Sequence, residues 1–261
     1  MWAGGAAYER YIGRWSRPVA AAFVDWLGVP AGRRWLDVGC GTGALTSAVR
    51  ASSPELVLGV DPSAGFLGVA RDRNPGAAFV VGQAGALPAV AGGFDAVVSG
   101  LTVNFVAAPG RAVAEFARVV APGGVVAAYV WDYADGMQLI RRFWAAAVEL
   151  DPAALALDEG RRFPLCRPEP LRRLWSDAGL TDVTVRAITV PTVFADFDDY
   201  WTPFLGGQGP AGQYAVRGDR SALRELLRQR LPTAPDGSIP LTATAWAVRG
   251  HSSMAPPTAR R

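Results

Sequence analysis

The chain has 261 residues, half of them apolar and 19% charged, enough to bury a core of its own rather than remain disordered. All 26 basic residues are arginine, which excludes a Schiff-base lysine, a P-loop lysine and a lysine general base. One histidine, two cysteines and a net charge of +3 carried by scattered arginines weigh against a Ser-His-Asp triad, a zinc cluster, a disulfide framework and a nucleic-acid partner.

In chain order, Val19, Ala22, Phe23, Trp26 and Leu27 recur at helical spacing and predict an amphipathic helix ending at Gly28 and Pro30. Short, nearly continuous apolar runs follow at Trp35–Val38, Leu56–Val60, Ala78–Val81, Phe94–Ser99 and Val125–Val130, the pattern of strands covered on both faces. Helix-type stretches separate them, at Ala44–Arg50, Ser63–Arg73 and Ala112–Val120, with Ser63 as an N-cap. This alternation predicts a doubly wound α/β sheet. Beyond Trp131 the pattern turns helical and aromatic: Ile140, Phe143, Trp144, Ala147 and Leu150 share one face, and Phe197, Tyr200, Trp201 and Phe204 another. Two more strands are expected at Val183–Val190 and Leu241–Val248, the second reached through the Pro235-Asp236-Gly237 turn.

The expected layout is one domain over residues 1–250, with N-terminal lid helices in 1–30, a ligand-binding core in 33–131, cap elements in 132–180 and 195–232, and a flexible tail in 251–261. No window approaches the ~18–20 apolar residues of a membrane span. The Met1-Trp2-Ala3-Gly4 start lacks a basic leader, so a cytoplasmic chain without membrane association is expected, as monomer or homodimer.

Chemistry concentrates at Trp35-Leu36-Asp37-Val38-Gly39-Cys40-Gly41-Thr42-Gly43, a buried strand entering a turn with glycine at every second position and then a helix. Such glycines let backbone approach a ligand, although a tight turn without a ligand would also use some of them. The register is G-x-G-x-G rather than the G-x-G-x-x-G of dinucleotide folds, which disfavours a nicotinamide dehydrogenase. Asp37, two residues before the first glycine, would repel phosphate and attract an ammonium or sulfonium. Asp61 ends the next strand, where a carboxylate can accept both hydroxyls of a ribose, roughly 1.5–3 kcal/mol per charge-assisted bond. The competing reading of Asp61 is a helix cap for Asp-Pro-Ser.

The turn, Gly59-Val60-Asp61-Pro62-Ser63, Gly82-Gln83-Ala84-Gly85-Ala86-Leu87-Pro88, Phe94–Ser99 and Ala121-Pro122-Gly123-Gly124 together resemble, in order and spacing, class I S-adenosylmethionine-dependent methyltransferases over roughly residues 8–131. The resemblance implies a seven-stranded, mostly parallel sheet with its last strand antiparallel, S-adenosylmethionine as cofactor, and a variable cap that selects the substrate. It assigns Asp37 to the methionine amino group, the backbone of Gly39, Cys40, Gly41 and Gly43 to the cofactor's underside, Asp61 to the ribose and Pro62 to the adenine face. Gln83 and Ala84 would meet the adenine edge, with Ser99 nearby. Many relatives carry an acid where this chain has Gln83, so adenine recognition is expected to persist without charge; a loop glutamine facing water is the alternative. Tyr11 and Arg14 lie in a stretch resembling the segment that folds over the methionine end, or a plain surface helix anchored by Trp15.

Methyl transfer from a sulfonium needs mainly alignment and exclusion of water, and alignment alone can supply about 7–11 kcal/mol. If an acceptor proton must be removed, Asp132, Asp135, Glu149, a tyrosine or solvent could take it. The Asn/Asp-Pro-Pro-Tyr motif of many nucleic-acid and protein N-methylating enzymes is absent after the Phe94–Ser99 strand. A small apolar or aromatic acceptor is therefore expected, with Asn104 orienting it and Phe105, Trp131, Trp144, Phe163 and Trp201 lining its site, though helical spacing alone would also bury such aromatics. Asn104 and Asp132 are the catalytic candidates, and no metal is expected. A cofactor-bound scaffold without methyl transfer, serving a cyclisation or acting as a noncatalytic partner, is the alternative.

Overall fold

Four buried residues in succession, Trp35 to Val38, give β1 (Arg34–Val38) two covered faces, as the apolar run predicts. The structure, a computed structural model, is described for residues 13–253. Chain order begins with α1 (Arg14–Leu27), β1, α2 (Ala44–Ala51), β2 (Leu56–Asp61), α3 (Ala64–Arg73), β3 (Ala78–Val81), β4 (Phe94–Gly100), α4 (Pro109–Val119) and β5 (Val120–Trp131). It continues through α5 (Gln138–Leu150), α6 (Glu159–Arg162), α7 (Pro168–Asp177), β6 (Thr181–Phe194), α8 (Phe197–Trp201), α9 (Gly209–Ala215), α10 (Ser221–Arg230) and β7 (Ile239–His251).

The seven strands form one sheet in the order β3-β2-β1-β4-β5-β7-β6. β1 to β5 pair in parallel, with Trp35 opposite both Val57 of β2 and Ala96 of β4. β7 runs antiparallel to β5, since Ser252 pairs with Gly123 and Gly124 while Thr244 pairs with Asp132. It is antiparallel to β6 as well, with Thr181 near His251, Thr184 near Arg249 and Thr189 near Thr244. The doubly wound sheet with an antiparallel last strand thus matches the expectation. The chain reverses direction of winding between β1 and β4, and ligands in open α/β sheets bind beyond the strand ends at such a switch point.

Several boundaries differ from the expected ones; α4, for example, begins at Pro109 rather than Ala112 and ends before Val120. β5 starts at Val120, because the register shifts from Phe94–Val120 to Ala96–Val125 and absorbs Ala121 to Gly124 as an irregularity, with Gly123 at φ 73°. β6 extends past Pro191 to Phe194; it lies at the sheet edge, where a missing N–H is tolerated. β7 continues through His251, the first residue of the segment read as a tail.

The chain divides into two compact units. The core unit holds Ala20–Val130, Pro168–Ile188 and residues 246–253. In it Phe23 of α1 packs on Tyr129 of β5 at 4.8 Å between ring centroids, and the buried Trp175 of α7 donates its indole N–H to Val126 O. The second unit holds residues 13–19, Trp131–Arg167 and Thr189–Ala245. Its centre is aromatic: Phe143 stacks on Phe204 at 4.5 Å and meets Trp144 edge-on at 5.3 Å.

Candidate functional site

The turn from β1 into α2 is built of left-handed glycines, Gly39 at φ 72°, Gly41 at 54° and Gly43 at 86°. For the outer two, packing alone forbids a side chain. A Cβ on Gly39 would lie 2.3 Å from Thr102 Cγ2, and one on Gly43 would lie 2.3 Å from Asn74 Nδ2. Gly41 is different, since a Cβ there would meet nothing within 4 Å. The middle of the turn therefore faces open space. The Gly39 and Cys40 N–H groups both donate to Val60 O, which ties the turn to β2. Gly43 caps α2 without a side-chain bond, and the first return bond is Ser47 N–H to Gly43 O, so the N–H groups ahead of it have no helical partner.

Two carboxylates flank the turn. Asp61, at the end of β2, accepts from the Gly41 N–H at 3.0 Å through Oδ2 and from the Ser63 N–H at 2.8 Å through Oδ1. Ser63 itself caps α3 by accepting from the Phe66 N–H. Asp61 thus orders the loop and still retains lone pairs, because a carboxylate offers about four acceptor sites. Asp37 is fully buried; its Oδ2 accepts from the Thr46 hydroxyl at 2.6 Å, while Oδ1 has no partner. Burial pushes its pKa up to about 7, against the pull of the Thr46 bond, with Asp61 adding to the rise. Burial, then the charges of Asp37 and Asp61, push the Cys40 thiol far up, so it stays protonated.

Ser99 of β4 is buried and donates to Val38 O, and Thr102 Oγ1 lies 3.0 Å from both Gly39 O and Gly100 O. Leu101 between them is held at φ 57°, a strained value for a branched side chain. Asn104 follows in a single 3₁₀ turn, Val103–Phe105, with its Nδ2 buried and unpartnered, while Phe105 is exposed. At the β3 end the Gly82 N–H donates to Asp61 O, and Gln83 forms a bridge with Ala86. Gln83 and Pro62 are exposed, and Ala84 is half-buried.

Thr46, Asn74 and Thr102, which brace the turn, are not among the residues predicted from the sequence. Asn74 is buried, accepts from Ser47 Oγ at 2.7 Å and donates to Gly43 O at 3.3 Å, locking the turn from below. Thr46 and Thr102 stand out in the sequence only as polar residues among apolar ones, and Asn74, which follows Arg71-Asp72-Arg73, does not stand out at all.

The other predicted residues lie in the second unit. Arg14 pairs with Asp199 at 2.9 Å and stacks on Trp15 and Phe194, leaving Nε and Nη2 buried without partners. Trp131 is buried with an unpartnered indole N–H. Asp132 is buried beside it and accepts the Asp135 N–H at 3.1 Å. Asp135 is exposed, and Glu149 is bound by Arg230. Trp144 is fully buried and donates to the Glu159 carboxylate, and Trp201 is buried in the same aromatic cluster. Phe163 is half-buried against Tyr133 at 5.4 Å. Tyr11 lies outside the described residues. Among the described residues no group of three or more His, Cys, Asp or Glu could hold a metal ion, and no helix is long and apolar enough to cross a membrane.

Residues 36–128 match the family described as methyltransferase domain. The chain is 31% identical over 188 residues to a demethylmenaquinone methyltransferase of Paenarthrobacter aurescens, covering 67% of this chain and 72% of that protein. It is 41% identical over 111 residues to a demethylmenaquinone methyltransferase of Renibacterium salmoninarum, covering 42% of this chain and 45% of that protein. The chain thus spans about half the length of several curated relatives it matches. Among solved structures, phosphoethanolamine N-methyltransferase 2 of Haemonchus contortus, in complex with S-adenosyl-L-methionine, shares the fold with a TM-score of 0.59 at 18% identity, covering 95% of this chain and 56% of that one.

Proposed function

Because this chain belongs to the class I S-adenosylmethionine-dependent methyltransferases, we propose that it transfers a methyl group from S-adenosylmethionine to a small acceptor molecule. The observation that carries the proposal is the pair of carboxylates around an open glycine turn, above all the buried and unpartnered Asp37 Oδ1. A buried acceptor with no donor is costly, and an ammonium group would satisfy it. The residues fit the cofactor: Asp37 Oδ1 would take the amino group, the free lone pairs of Asp61 the ribose hydroxyls, and Gly41 would let the backbone pass close beneath. Pro62, Gln83 and Ala84 would border the adenine.

S-adenosylmethionine, when bound, supplies a methyl group already activated on a positively charged sulfur. The protein's task is then to orient and to keep water out. The buried Asn104 amide offers a donor with which to hold an acceptor oxygen. Asp132 would take the proton of a hydroxyl acceptor, one of its oxygens being held by Asp135 N–H. The protonated Cys40 thiol is a poor nucleophile and would not compete for the methyl group.

The acceptor we favour is apolar or aromatic. Both relatives compared above act, by name, on demethylmenaquinone, which supports a quinone-like ring. Phe105 is the exposed apolar candidate of the core unit for such a ring, and Trp131 and Phe163 are the candidates of the second unit. Calorimetry with S-adenosylmethionine and S-adenosylhomocysteine tests the cofactor, and release of S-adenosylhomocysteine across a panel of quinols, phenols, amines and carboxylic acids tests the acceptor. Micromolar cofactor binding and turnover confined to ring acceptors are expected. Absence of cofactor binding would refute the enzyme assignment, and turnover of amines alone would refute the acceptor class.

A further inference from the structure

We propose that Thr46 is a positioning residue for cation capture: its hydroxyl clamps one oxygen of Asp37 and so commits the other to the ammonium group of the ligand. The inference rests on the cofactor reading above and deepens it.

Thr46 sits in the first turn of α2 and is fully buried. A threonine inside a helix commonly returns its hydroxyl to a carbonyl one turn back. This one instead reaches across to β1 and donates to Asp37 Oδ2 at 2.6 Å, a short charge-assisted bond. The bond does two things. It fixes the carboxylate plane, so that Oδ1, without a partner, is the oxygen left for a ligand. It also stabilises the ionised form in a place that otherwise opposes it. The charged group acting on this carboxyl is Asp61 at the end of β2, an acid, and the neighbouring Cys40 thiol stays protonated and neutral. Burial holds the Asp37 carboxyl at about 7, and the Thr46 hydroxyl and backbone N–H are what draw it down to that value. Without the hydroxyl, Asp37 would keep its proton at neutral pH, and an O–H would confront the ligand's N–H groups where an acceptor is needed.

Asparagine or glutamine could not substitute for this arrangement, since only a carboxylate presents a full negative charge to the cation.

The test measures S-adenosylhomocysteine affinity by calorimetry between pH 6 and 9 for the wild type, Thr46→Val and Thr46→Ser, with thermal unfolding alongside. Valine keeps the shape and removes the donor. We expect Thr46→Val to bind roughly 10- to 100-fold more weakly at pH 7, the loss of a hydrogen bond to a charged group, and to recover part of that loss by pH 9. Thr46→Ser should stay within about threefold of the wild type across the range. A purely structural role would lower the melting temperature of Thr46→Val without moving its pH profile, and that result overturns the proposal. Should the valine variant not fold, Thr46→Ala removes the same donor and takes its place with the same readouts: weakened binding at pH 7 that partly recovers by pH 9 supports the proposal, and an unchanged affinity and pH profile overturns it. Wild-type protein that fails to bind at all refutes the cofactor reading itself, whereas tight wild-type binding with an unchanged Thr46→Val profile refutes only the role of Thr46.

Discussion

Gly39 and Gly41 occupy the same turn with similar φ values, yet alanine should affect them differently. At either position a left-handed alanine costs roughly 1–2 kcal/mol. At Gly41 that is the whole structural cost, because the added Cβ meets nothing within 4 Å. A chain of this size should lose about 2–8 °C of melting temperature. At Gly39 the Cβ also falls 2.3 Å from Thr102 Cγ2, and Thr102 cannot retreat without releasing the carbonyls of Gly39 and Gly100. Overpacking adds about 1–3 kcal/mol, for a total of roughly 2–5 kcal/mol. Binding should follow another pattern. The Gly41 Cβ would stand where the account puts the cofactor, and a steric cost of about 1–3 kcal/mol there weakens affinity roughly 5- to 150-fold. Thermal unfolding and calorimetry with S-adenosylhomocysteine on Gly39→Ala and Gly41→Ala decide the matter. A melting temperature lowered by only about 2–8 °C, with binding weakened roughly 5- to 150-fold, is expected of Gly41→Ala. Gly41→Ala with wild-type affinity would refute the reasoning, because the open space above that residue would then not be the ligand's.

Asp61→Asn should lose both stability, by about 1–3 kcal/mol, and at least tenfold in cofactor affinity, since an amide has one acceptor oxygen where Gly41 and Ser63 N–H groups already require two; unfolding and binding titrations check both. Glu159 is buried, accepts from Trp144 and from the Ala211 N–H, and burial pushes its pKa up to about 7 from an ordinary 4.5. Its folded pKa is raised, so its contribution is complete below about pH 4.5 and is lost as pH rises through 7; the wild type should melt earlier at pH 8.5 than at pH 6, and Glu159→Gln should flatten that slope in tryptophan-monitored unfolding. Equal slopes would mean that Glu159 does not titrate there. Asn104→Ala should reduce turnover at least tenfold with cofactor affinity unchanged, and unchanged turnover would remove Asn104 from the acceptor's site.

The sheet and its ligand turn were legible because they depend on local pattern: a buried run such as Trp35–Val38 can only be a covered strand, and alternating glycines have few other uses. The start of β5 was not, because Pro122-Gly123-Gly124 reads as a turn until Phe94 is known to pair with Val120 across the register shift. The end of β6 was missed at Pro191, which breaks a strand anywhere but at an edge, and edges are a property of topology. At the site, the residues whose backbone or carboxylate forms the turn were found, while Thr46, Asn74 and Thr102, which hold them in place, were not. Each acts through a partner distant in sequence or on another element, such as Asn74 through Gly43, and nothing local marks that pairing. Trp144 shows the converse: its indole N–H is spent on Glu159, a partner 15 residues away that helical periodicity does not reveal.

A crystal structure of the protein with S-adenosylhomocysteine bears most directly on the central claim. The ribose hydroxyls are expected on the Asp61 carboxylate and the amino group within hydrogen-bond distance of Asp37 Oδ1, over Gly41. A ligand bound elsewhere, or one bound at the turn with Asp37 Oδ1 still unpartnered, would contradict it.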